Sequence, residues 1–178
     1  MTEERREEEP RVRNAGPTSS RKTKDRSDVI IRRAEKRDIP ALARMEKLCF
    51  SDAWSEASVE GSQSSPLGYL LIAEEPCGEG TDLPLGYLIA SVFEDEGELL
   101  RIAALPQERR RGVGKALLSR MLEDHPGVKT WRLDVRTQNM PAIALYEQFG
   151  FGIITENPNV YKDPVDNGYL MIRTDRQE

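Results

Sequence analysis

The stretch Arg109-Arg110-Arg111-Gly112-Val113-Gly114-Lys115 decides how this chain is read. Upstream lies an apolar, strand-like run, Leu99 to Leu105; downstream Lys115-Ala116-Leu117-Leu118-Ser119-Arg120-Met121-Leu122 carries helical spacing. The order is strand, basic turn, glycine pair, helix. Glycine lets a backbone approach a ligand closely and take dihedrals that other residues resist. The free N–H groups of the following helix start, helped by its dipole, then favour an anion. A diphosphate is the expected ligand class. A Walker-type phosphate loop is disfavoured, because Lys115 is followed by Ala116 rather than Ser or Thr, and so is a Rossmann turn, because its third glycine would fall at Leu117.

Working outward, the 178 residues suit one domain with a tail, and the 32% charged content is high enough to place part of the chain outside a packed core. Residues 1 to about 27 are nearly all charged or small and polar, so they are expected to be a disordered tail ahead of a single domain over 28–178. The net charge of -5 argues against stable nucleic-acid binding. Two cysteines, Cys49 and Cys77, give no disulfide framework, and with one histidine, His125, no metal site is expected. No apolar run reaches 18 residues and the acidic N-terminus lacks a signal core, so a cytoplasmic protein without membrane attachment is expected.

Strands are expected at 29–34, 69–73, 85–93, 98–105, 130–135, 151–155 and 169–172. Helices are expected after Asp38 (a candidate N-cap, with Pro40 behind it), over about 55–62, from the glycine pair to about His125, and after Asn139 with Gly150 as its stop. Polar loops are expected at 76–84 and 157–167, and Asp95-Glu96-Gly97 as a turn. About seven strands and four helices in this order give an α/β fold with one mixed sheet.

A second stretch adds chemistry. Asn139-x-x-Ala142-x-x-Leu145-Tyr146-x-x-x-Gly150-Phe151, together with Arg109-x-x-Gly112-x-Gly114, resembles the GNAT superfamily of acetyl-CoA-dependent N-acyltransferases over about residues 29–173. Within it the chain is most similar to the RimI type, which acetylates the N-terminal alanine of a ribosomal small-subunit protein. The resemblance rests on Cys49-Phe50-Ser51-Asp52-Ala53-Trp54-Ser55, on Arg101 to Pro106 followed by Arg110-Arg111-Gly112, and on Asn159-Val160-Tyr161, which departs from the family's Asn-Tyr-Tyr at Val160.

The resemblance implies a GNAT fold and acetyl-CoA as co-substrate. The backbone of Arg111, Gly112, Val113, Gly114 and Lys115 would cradle its diphosphate, and the side chains of Arg109, Arg110 and Lys115 would face its phosphates. The backbone of Ile102, Ala103 and Ala104 would pair with the pantetheine arm, with an N–H near Ala104 as an oxyanion donor. Asn139 is either a helix cap or a pantetheine contact. Tyr146 matches the family's general acid. The family's base is a glutamate where this chain has the shorter Asp134, and Glu98 is the competing base, so both stay open. Phe50, Trp54 and Tyr161 would line the groove for a protein N-terminus. Attack by an amine on a thioester needs no covalent enzyme intermediate, so Cys49 is expected to be a small buried residue. Two other functions remain open: acetylation of a small amine, and a non-catalytic acyl-CoA sensor. Deleting residues 1–27 is expected to leave turnover nearly unchanged, as steady-state rates of the truncated and full chains would show.

Overall fold

A computed structural model describes residues 29–76 and 83–175; the expected tail, Cys77 and most of the expected 76–84 loop lie outside the described residues. Seven strands form one sheet: β1 (Ile30–Arg33), β2 (Gly68–Glu75), β3 (Leu83–Phe93), β4 (Glu96–Ala104), β5 (Thr130–Arg136), β6 (Gly152–Lys162) and β7 (Val165–Thr174). Four helices accompany them: α1 (Ile39–Cys49), α2 (Glu56–Ser64), α3 (Val113–Asp124) and α4 (Met140–Gln148). The spatial order is β1-β2-β3-β4-β5-β7-β6, and only the β4–β5 pair is parallel. Among the described residues no helix is long and apolar enough to cross a membrane.

Strand alternation sorts the core onto two faces. Tyr69, Leu71 and Ala73 of β2 pack with α3 and α4 through Leu117, Met121, Ile143 and Tyr146. Leu70 and Ile72, one residue out of phase, pack with α1 and α2 through Leu42, Met45 and Val59. Trp131 is fully buried on the α3 side, as its place in an apolar strand suggests.

Three local expectations change. Asp38 does not cap α1 with its side chain; it accepts from Glu35 N–H and from Arg32, which also grips Glu74 and so joins β1, β2 and the start of α1. The turn after β3 is only Glu94-Asp95, with Glu94 at φ 53°, because Phe93 already pairs with Glu96. Most of the expected 157–167 loop is strand: β6 runs to Lys162 and β7 begins at Val165. β6 is a sheet edge exposed along most of its length, so its polar residues carry no burial cost and no apolar alternation marks it. Its register also slips between Asn157 and Tyr161, around Pro158, which cannot donate to a ladder.

Arg32 holds the Asp38 carboxyl below the usual carboxylate range. A depressed folded pKa contributes stability above the unfolded value, and this is lost as pH falls through the folded one. Arg32→Gln is therefore expected to cost about 2 kcal/mol near neutrality, between exposed and fully buried pairs. The cost should shrink in acid, which thermal unfolding across pH would measure.

Candidate active site

The parallel ladder between β4 and β5 runs from Glu96↔Thr130 to Leu99↔Leu133 and stops, although both strands continue. The cause lies in β4. Its pairing with β3 jumps from Ala90↔Leu99 to Ile89↔Arg101, leaving Leu100 as an extra, bulged residue. A bulge bends its strand and re-aims the side chains after it. From Leu100 onward β4 follows β3 and leaves β5. The wedge between them opens into a cleft of about 1240 Å³.

One end of the cleft is the glycine turn. Arg110 at φ 66° and Gly112 at φ 84° both sit in the left-handed region, one residue apart. Such alternation curls backbone N–H groups around an anion-sized hollow. Gly112 precedes α3, and Ala116 N–H makes the first helical bond to Gly112 O (2.9 Å). The N–H groups of Val113, Gly114 and Lys115 come before it and have no intrahelical acceptor. Arg109, Arg110 and Lys115 line the cleft and form no ion pair among the described residues. Arg111 differs. Its side chain is outside the cleft lining, paired with Glu108 and, at 3.2 Å, with Glu75, so it braces the turn from behind.

The middle of the cleft is the splayed strand and α4. Ile102, Ala103 and Ala104 form the β4 wall. Asn139 caps α4 through Ala142 N–H (3.3 Å) and still lines the cleft. Tyr146 is buried to 6% exposure, packs 6.0 Å from the Phe151 ring and reaches the cleft. Its hydroxyl has no hydrogen-bond partner among the described residues. Burial, then the nearby Tyr161, pushes its phenol well above the ordinary value. Cys49 is half-buried at this wall rather than in the core, and its thiol donates to Ala104 O (3.7 Å). Burial pushes that thiol up, so it remains uncharged, as a residue without a nucleophilic role would.

The other end lies on the α1/α2 face of the sheet. Glu98 and Asp134 both line the cleft there. Glu98 is tied to Arg132, its ladder partner, at 2.9 Å. Asp134 forms no ion pair or side-chain hydrogen bond among the described residues. Burial raises its carboxyl above the usual range, the charge of Glu98 adds to this, and Arg132 partly offsets it. Phe50 and Trp54 from the α1–α2 connection face Tyr161 from the β6–β7 hairpin. Burial raises the Tyr161 phenol to about 12, with the Asp134 charge contributing.

The cleft thus gathers every residue expected from the sequence except the Arg111 side chain. Three further residues with no role assigned from the sequence shape it. Arg136 donates to Asp163 O and Pro164 O (both 2.8 Å) and lies 4.2 Å from the Tyr161 ring centroid, holding the hairpin. Ser51 Oγ donates to Asp163 O and links the two walls. Arg101 grips Asp52. The lone charge of Arg101 inside the apolar run Leu99 to Leu105 was the available signal.

Residues 39–151 match the model of the acetyltransferase (GNAT) family. The chain belongs to that family. It is 34% identical over 126 residues to the ribosomal protein bS18 alanine N-acetyltransferase of Salmonella typhimurium, spanning 70% of this chain and 81% of that one. It superposes on the crystal structure of the ribosomal-protein-S18-alanine N-acetyltransferase from Escherichia coli with a TM-score of 0.74 at 28% identity, covering 84% of this chain and 96% of that one. Ard1 from Thermoplasma volcanium gives a TM-score of 0.73 at 26% identity, covering 84% and 99%. The chain is therefore a RimI-like GNAT acetyltransferase, with the mixed seven-stranded sheet and four helices of that fold. Among the described residues no group of three or more His, Cys, Asp or Glu side chains is placed to hold a metal ion.

The basic turn separates two kinds of arginine. Arg109→Ala or Arg110→Ala is expected to weaken coenzyme A binding by about threefold to tenfold at low salt and less at high salt. Arg111→Ala is expected to lower the unfolding temperature instead. Titration calorimetry at two ionic strengths and a melting curve would check both.

Proposed function

We propose that this acetyltransferase moves acetyl from acetyl-CoA to the α-amine of a protein N-terminus. The specific acceptor suggested by the relatives' names is the N-terminal alanine of a ribosomal small-subunit protein. The observation that carries the proposal is the two-ended cleft. One end offers free N–H groups and unpaired cations; the other offers carboxylates between aromatic walls; the splayed β4 edge joins them.

These residues fit the donor. The turn from Arg109 to Lys115 would hold the diphosphate, and Ile102 to Ala104 would take the pantetheine arm as a sheet edge takes a strand. Asn139, occupied with its capping bond, would contribute mainly by setting where α4 begins. Bound there, acetyl-CoA supplies a thioester carbonyl open to attack.

The chain's own groups would then handle protons. A neutral α-amine loses a proton on attack, and a carboxylate must receive it directly or through one water. Asp134 fits this part better than Glu98. It is unpaired, and a raised pKa makes a carboxylate a stronger base, whereas Glu98 is engaged by Arg132. The shorter side chain is compatible with a bridging water. Tyr146 would donate to the departing sulfur. Its raised pKa keeps the phenol protonated across the working range, and its free hydroxyl faces the cleft. Phe50, Trp54 and Tyr161 would flank the incoming chain end.

The direct test is mass spectrometry of a peptide with N-terminal alanine after incubation with enzyme and acetyl-CoA. The same peptide blocked at its α-amine and a small polyamine serve as comparison acceptors. Turnover of the polyamine but not the free peptide would overturn the proposal. Tyr146→Phe and Asp134→Asn are each expected to lower kcat by about a hundredfold, with KM for acetyl-CoA nearly unchanged. The wild-type kcat should fall as pH drops through the raised Asp134 pKa, since the base must be ionised, and Asp134→Asn should lose that limb. Glu98→Gln should keep the rate and retain a limb, moved to lower pH because the Glu98 charge helps raise the Asp134 pKa.

A further inference from the structure

The acceptor end of the cleft contains a buried charge pair that the proton-transfer steps do not use. Arg101 is the second residue of the β4 bulge, and it lands on the same face as Leu100, toward α1, instead of alternating toward α3. Its side chain is 11% exposed. Nη2 donates to Asp52 O at 3.0 Å and lies 3.5 Å from the Asp52 carboxylate. The guanidinium lies 4.6 Å from the Phe50 ring centroid and 5.0 Å from that of Trp54. Nε is 3.9 Å from Glu46 Oε1 and makes no hydrogen bond. Glu46 is fully buried; it accepts from Trp54 N–H (2.9 Å) and from the Tyr87 hydroxyl.

The 50–54 segment therefore has two anchors. Glu46 holds its far end at Trp54, and Arg101 holds its centre at Asp52 while lying against both aromatic rings. A planar guanidinium can donate and stack at once; an ammonium cannot. We propose that Arg101 is a positioning residue that fixes the 50–54 wall against β4, and so governs affinity for the acceptor without affecting the donor. This rests on the reading of Phe50 and Trp54 as the acceptor wall. Arg101 touches no reacting atom in this scheme. It acts through the segment it holds.

Loss of Arg101 also strands Glu46 as a buried charge, which destabilises on its own account. Two variants separate the effects. Arg101→Lys keeps the charge but loses the fork and the stacking. Arg101→Gln combined with Glu46→Gln removes both charges and keeps an amide oxygen for Trp54 N–H. In steady-state kinetics both are expected to raise KM for an N-terminal-alanine peptide about tenfold or more, with KM for acetyl-CoA and kcat within about twofold. Hydrogen exchange by mass spectrometry should show faster amide exchange in residues 50–54 of both variants.

An unchanged acceptor KM, an equal rise in both KM values, or unchanged exchange in the segment would overturn the proposal. So would recovery of the acceptor KM together with the melting temperature in the double variant, since Arg101 would then serve stability alone. If the wild-type enzyme does not acetylate the peptide, the functional reading fails instead, and the exchange result still decides whether Arg101 holds this wall.

Discussion

The site depends on the end of one hydrogen-bond ladder. Parallel strands normally stay paired along their length, because an unpaired backbone group away from water is costly. Here β4 leaves β5 after Leu99, and the extra residue Leu100 makes the departure possible while β4 keeps its bonds to β3. The backbone from Leu100 to Ala104 is then a sheet edge in the interior of the domain, facing a cleft rather than a neighbour. Such an edge invites an extended ligand. The glycine turn follows the same strand after one short 3-10 turn, Pro106–Glu108, so one element sets both the groove and its anion end.

The two ends of the cleft are charged differently, and the difference follows from which side chains have partners. At the turn, Arg111 is spent on Glu108 and Glu75, which leaves Arg109, Arg110 and Lys115 open to a ligand. At the far end, Arg132 engages Glu98, whereas Asp134 keeps a free carboxyl whose pKa burial raises. Arg101 and Arg136, on adjacent strands, bind backbone carbonyls of the two walls. Residues of like charge thus divide into those that would meet a ligand and those that shape its surroundings.

Much of the fold was legible because it rests on local patterns. The glycine pair after an apolar strand marked the anion end, and the apolar stripe Val113, Leu117, Leu118, Met121, Leu122 marked α3; the first four are buried and Leu122 is half-buried. Asn139 announced α4 by its capping chemistry. The strand pair β6 and β7 was legible at 151–155 and 169–172, but its outer half, 157–167, was not. Its outer strand is an exposed edge with no burial to enforce alternation, so Asn157 to Lys162 reads as loop. Asp38 reads as a cap, yet its partner is Arg32, and Arg32 is held in turn by Glu74, 42 residues away in the chain.

The sequence by itself determined which groups are present and in what order: the turn from Arg109 to Lys115, the Asn139–Tyr146 helix, and carboxylates at 98 and 134. Spacing along a strand or helix fixes which face a side chain takes, so these could be read one element at a time. Only the tertiary structure decided their allotment. Whether a carboxylate is paired or free, whether an arginine braces a turn or lines a cleft, and how far two strands stay joined all depend on neighbours distant in sequence. The bulge at Leu100 shows why. It is a relation between β3 and β4, and neither strand carries it alone.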